Sequence, residues 1–95
     1  MLSSIPVDFA KVKKEELNRE ILRVAIIAEL DAINLYEQLA ALTDRQDIKA
    51  VFLDIAREEK THVGEFQAML LREDVEQVQE LANGHKEVEE LTGKK

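Results

Sequence analysis

The sequence predicts an all-α fold: an antiparallel two-helix hairpin plus a short C-terminal helix, two copies of which pair into a four-helix bundle. Three observations predict it. The 95 residues include one proline, three glycines and 4% aromatics, against abundant alanine, leucine, glutamate and isoleucine, a helical balance. Apolar residues recur at spacings of three and four along two long stretches, the period of an amphipathic helix. Finally, the one remaining helical stretch is too short to cover the two long ones. Helices of roughly 25 residues are about 38 Å long at 1.5 Å per residue, and their open stripes must pack on another layer. A second copy is the simplest cover. The alternative is a small monomeric three-helix domain.

The chain reads as one domain, 1–95, in the following order. Residues 1–13 carry Ser3, Ser4 and Pro6 without a sustained period; they read as an extended arm docked through Ile5, Val7 and Phe9. Helix 1 covers 14–42, with Leu22, Ala25, Ala32, Ile33, Tyr36, Leu39 and Ala40 as its apolar positions. "LTDRQD" breaks it, and Asp44, followed by Asp47, is the expected N-cap of the next helix. Helix 2 covers 46–72, with Val51, Phe52, Ile55, Phe66, Met69 and Leu70 on one face. Asp74 then caps a short helix over 74–83, which Asn83-Gly84 should stop. A further helical turn is expected over 85–92, and 93–95 should fray.

Charged residues make up 35% of the chain and the net charge is −7. That sign disfavours a nucleic-acid partner and favours cations. The longest apolar run, Val24 to Ala28, is far too short for a bilayer, and the N-terminus lacks a signal-peptide pattern. A soluble, cytoplasmic protein without a membrane partner is expected. The absence of cysteine excludes disulfides, thiolate metal sites and thiol nucleophiles.

One feature conflicts with simple amphipathicity. Glu29 lies within the stripe of Leu22, Ala25, Ala32 and Leu39, and Tyr36 follows it by seven residues, about two turns on the same face. On helix 2, Glu59 and His62 are three apart and therefore neighbours, between Ile55 and Phe66. Both interruptions fall near mid-helix, so an antiparallel hairpin sets them side by side. Carboxylates placed there need partners. A cation shared by Glu29, Glu59 and His62 is such a partner, and this oxygen and nitrogen donor set suits iron, manganese or zinc. The blander alternatives are a salt bridge from Glu29 to Arg57 or Lys60 of a partner, a hydrogen-bonded core histidine and a packing tyrosine. Each chain owns two carboxylates and one imidazole, half of a di-iron carboxylate set, and no second Glu-x-x-His is present. The ligand count thus asks for the same dimer as the packing. Asp31, Glu58 and Glu65 read as solvated acidic residues, with transient cation sites on an approach route as the minority reading.

At these residues the chain resembles the encapsulated ferritins, a ferritin-like branch built from one helical hairpin. "AELDAINLY" is similar to that family's first-helix motif and "EEKTH" to its second, without gaps from about Glu15 to Leu71. The resemblance is to the archaeal type, where such a domain can precede an encapsulin shell domain. It implies that Glu29, Glu59 and His62 ligate iron, with Glu59 or Glu29 bridging, and that Tyr36 stands beside the ligands. It also implies ferroxidase activity at a di-iron site shared by a homodimer, a decamer of five dimers, and iron storage in an encapsulin nanocompartment. Zinc, manganese or calcium are the alternative occupants in isolated protein. Two other functions compete. A rubrerythrin-like peroxide reductase would need an electron donor, usually a four-cysteine iron site that this chain lacks. A structural helical module would hold zinc or no metal.

Overall fold

The computed structural model describes residues 8–95. Ile5 and Val7, expected to dock an arm, lie outside the described residues, as does the Phe9 side chain. Residues 9–11 form a short 3-10 turn where an extended segment was expected, and residues 14–16, expected as the start of helix 1, form another. The rest is three α-helices: α1, Leu17–Leu42; α2, Gln46–Glu73; and α3, Val75–Thr92. No strand occurs among the described residues. None of these helices is long and apolar enough to cross a membrane.

α1 and α2 form the hairpin. Ile33 and Ala40 of α1 and Ala56 and Leu70 of α2 are its buried residues. Their spacings of seven and fourteen keep each pair on one helical strip. Ala40 and Ala56 are only 2% and 1% exposed, so small side chains let the two backbones approach. The turn is Thr43 to Arg45. Thr43 is extended (φ −88°, ψ 142°), and its Oγ1 accepts the Arg45 N–H at 3.2 Å. The expected Asp44 cap does not form: Arg45 occupies the N-cap position and its side chain makes no cap bond. Asp47 in the first turn supplies the negative charge instead. Arg45 grips it at 2.7 Å, the main reason its pKa lies below the usual carboxylate value.

α3 differs from expectation by running unbroken through Asn83-Gly84. A mid-helix glycine costs only about 1 kcal/mol, and side-chain contacts flank the site on both sides. Gln79 donates to Asn83 at 3.3 Å, Asn83 donates to Glu80 at 3.1 Å, and His85 Nε2 lies 2.9 Å from Glu89. The real stop is Gly93, left-handed at φ 69°, whose N–H reaches the Glu89 carbonyl. At the other end Asp74 caps α3 as expected, its side chain accepting the Gln77 N–H at 3.1 Å.

Asp74 is the buried charged residue among those described. The Gln77 N–H, and then Arg23 with Arg19 farther off, hold its pKa below the usual carboxylate value against the opposing effect of burial. Because the folded pKa is the lower one, its contribution is complete above the unfolded carboxylate range and is lost as pH falls through the folded value. Amide-exchange protection at the start of α3 should therefore persist at about pH 5 and fall only in stronger acid, below the ordinary aspartate pKa of about 3.9. Loss of that protection above pH 5 would contradict the capping assignment.

The hairpin and α3 do not close into a compact body. The radius of gyration is 16.7 Å and the extents are 47 × 43 × 20 Å, whereas a compact chain of this length has a radius of about 12 Å. Large apolar side chains stay open, among them Ile21, Val51 and Met69 at 47%, 59% and 46% exposure.

Candidate metal centre

The antiparallel seam brings Glu29 of α1 beside Glu59 and His62 of α2. His62 Nδ1 lies 3.4 Å from Glu59 Oε2 and 3.5 Å from Glu29 Oε2. One potential ligand atom from each of the three residues falls within 4.8 Å of the others. Both carboxylates are largely covered, at 20% and 19% side-chain exposure, while the imidazole is 43% exposed. Glu29 Oε2 is buried and has no hydrogen-bond partner. A buried carboxylate oxygen in that state is costly. A cation held by two carboxylate oxygens and an imidazole nitrogen would satisfy it, so the residues present fit a metal ion.

Within the chain, neither Arg57 nor Lys60 reaches Glu29. Arg57 pairs with Asp54 at 3.0 Å and Lys60 with Glu37 at 3.0 Å. Among the described residues, the basic group beside Glu29 and Glu59 is His62 itself.

Helix geometry fixes which way the centre faces. At about 100° per residue, Glu29 is about 40° from Ile33 around α1, and Glu59 about 60° from Ala56 around α2. The ligands therefore sit at the margin of the buried seam. Beyond them, on the same side, come the exposed Ile21, Val51 and Met69 and half-buried Ala25, Ala32, Leu39, Ile55 and Phe66. The three candidate residues thus border an open apolar face.

Tyr36 is half-buried and its ring stacks on Phe52, with centroids 6.1 Å apart and planes at 21°. Phe52 precedes Glu59 by seven residues, as Tyr36 follows Glu29 by seven, so the pair continues the ligand strip by two turns. That heptad relation is a signal by which the sequence could have assigned Phe52 as the tyrosine's neighbour. Asp31, Glu58 and Glu65 are not brought into the ligand group. Asp31 lies about 200° around α1 from Glu29, and Glu58 and Glu65 are exposed.

Comparison with known proteins gives consistent matches. The Rubrerythrin family model matches residues 20–93. A ferritin-like–encapsulin shell fusion protein of Pyrococcus furiosus is 64% identical over 80 residues, which are 84% of this chain and 23% of that protein. The encapsulin nanocompartment cargo protein EncC of Myxococcus xanthus is 43% identical over 67 residues, 70% of this chain and 51% of that protein. The chain thus spans only about a quarter to a half of the length of these relatives. The crystal structure of the encapsulated ferritin domain from Pyrococcus furiosus is similar with a TM-score of 0.83 and 57% identity, covering 94% of this chain and 89% of that one.

Proposed function

The chain belongs to the rubrerythrin family, in its encapsulated-ferritin branch, and from that premise we propose that it is a ferroxidase whose di-iron centre is completed by a second copy. The observation that carries this reading is the buried Glu29 oxygen without a hydrogen bond, beside a second carboxylate and an imidazole. In the pair, Glu29, Glu59 and His62 of each subunit hold ferrous iron as substrate, and each iron loses one electron to dioxygen. The carboxylates bind the product more strongly than the substrate, because attraction grows with the charge of the ion, and this favours oxidation. His62 contributes a neutral donor that leaves the centre less crowded with negative charge. Tyr36, two turns along the strip, serves the ligands through its hydroxyl or as a further electron source.

The flat, open shape supports pairing, since the second copy would cover Ile21, Val51 and Met69 together with the ligands. Rings of five such dimers, as the resemblance implies, would use the remaining open surface. A hairpin pair encloses no storage volume, so mineral would be held by a separate container. Given the names of its relatives, that container is an encapsulin shell in the cytoplasm. Glu58 and Glu65 are proposed as transient cation sites on the approach to the centre, whereas Asp31, on the far side of α1, is not.

Titration of the isolated protein with Fe(II) under air tests this directly. Oxidation should run well above the protein-free rate, and ferric precipitate should form once iron greatly exceeds the sites. Tyr36→Phe should leave metal binding intact and change the rate only modestly. Oxidation no faster than buffer would refute the activity. A soluble core of iron in large excess over the sites would refute the need for a container.

A further inference from the structure

A single residue, Asp74, separates α2 from α3, with φ −139° and ψ 88°. The direction of α3 is not set by apolar burial. No residue of α3 is buried, and Val75, Val78, Leu81, Val88 and Leu91 are 43% to 86% exposed. The polar connection at its root is different. Asp74 is 6% exposed. One carboxylate oxygen accepts the Gln77 N–H of α3 at 3.1 Å, and the other meets the Arg23 guanidinium of α1 at 2.8 Å. The same side chain thus starts α3 and ties that start to the far helix of the hairpin.

We propose that Asp74 and Arg23 form a latch that sets the direction of α3 against the hairpin and prevents α2 and α3 from merging into one helix. Two arrangements compete. In the bent one, Asp74 leaves helical dihedrals, caps α3 and meets Arg23. In the straight one, residue 74 becomes helical, its cap is lost, and the sequence on either side continues a helix without a proline to stop it. Aspartate is a poor interior helix residue and a good cap, so both of its contacts favour the bend. Little else opposes straightening, because α3 has little packing to lose. α3 acts as a lever of about 27 Å, so a small change at its root displaces its tip widely; a swing of about 30° moves residue 87 by about 10 Å.

The absence of cysteine makes the distance measurable. Asn34→Cys on α1 and Glu87→Cys on α3, both at exposed positions, are spin-labelled, and the labelled chain is diluted with unlabelled protein. Pulsed electron paramagnetic resonance then reads the distance distribution, with circular dichroism verifying helix content. The parent should give one narrow distribution. Asp74→Ala should shift it by about 10 Å or more without loss of helix content. Arg23→Met, which leaves the cap in place, should broaden it about its original centre. Asp74→Asn, which keeps a capping oxygen without the charge, should fall between these. A parent-like narrow distribution in both Asp74→Ala and Arg23→Met would overturn the latch, as would a distribution already broad in the parent.

Discussion

Replacing Glu59 and His62 together by alanine should reduce Fe(II) oxidation to the rate of iron without protein. The cluster of Glu29, Glu59 and His62 is the one such group among the described residues, so no other set stands ready to substitute. Disturbing even the outer partners of metal ligands costs roughly 10- to 100-fold in affinity or activity; removing two ligands should cost at least the upper figure. The fold should survive. The buried core of the hairpin is Ile33, Ala40, Ala56 and Leu70, and neither substituted residue belongs to it. Removing Glu59 relieves Glu29 of a like charge while removing His62 takes away its neighbouring basic group, so the thermal midpoint without metal should change little. Stopped-flow absorbance of ferric iron, with circular dichroism on the same samples, checks both halves. Oxidation at the unsubstituted rate by a folded double variant would remove the site assignment.

The second large effect concerns assembly. Each chain brings two carboxylates to the open face, so a pair without metal gathers four, and their repulsion opposes association. Metal bound by the pair but not the single chain stabilises the pair by about 4 kcal/mol at a thousandfold excess over the dissociation constant, about a thousandfold in the association constant. Ferrous iron, and likewise zinc or manganese, should shift a low-micromolar sample towards dimers and rings of dimers, and chelation should reverse the shift. Glu29→Ala separates charge from ligation. It removes two of the four carboxylates and the buried oxygen that lacks a hydrogen bond, so its metal-free association should be at least as strong as that of the unsubstituted protein, while its response to metal is lost. Sedimentation velocity with and without metal reads both. A metal response in Glu29→Ala equal to that of the unsubstituted chain would contradict the linkage.

Much of this site was legible in the sequence because helices convert spacing into direction. The seven-residue interval from Glu29 to Tyr36 and the three-residue interval from Glu59 to His62 report shared faces without any knowledge of the tertiary fold. A three-residue turn between two long helices then brings their midpoints together. What stayed illegible depended on choices between competing local signals or on distant partners. Asn83-Gly84 resembles a helix stop, but Asn83 is engaged by Gln79 and Glu80 of its own helix, α3 runs on, and the left-handed glycine stop falls at Gly93. Asp44 has the chemistry of a cap, yet Arg45 holds the cap position and Thr43 Oγ1 takes its N–H. The capping role of Asp74 was local and readable. Its pairing with Arg23, 51 residues away, left no mark in either neighbourhood.

The most direct measurement is the native mass of the protein titrated with Fe(II) in the absence of oxygen. If the centre is shared, iron should appear on dimers and larger even assemblies and saturate at one ion per chain, two for each pair. The single-chain species should remain free of tightly bound iron throughout, and the Glu59→Ala, His62→Ala double variant should stay metal-free at every mass. Tight iron binding by a persistent single chain would contradict the shared centre, and with it the route proposed for oxidation.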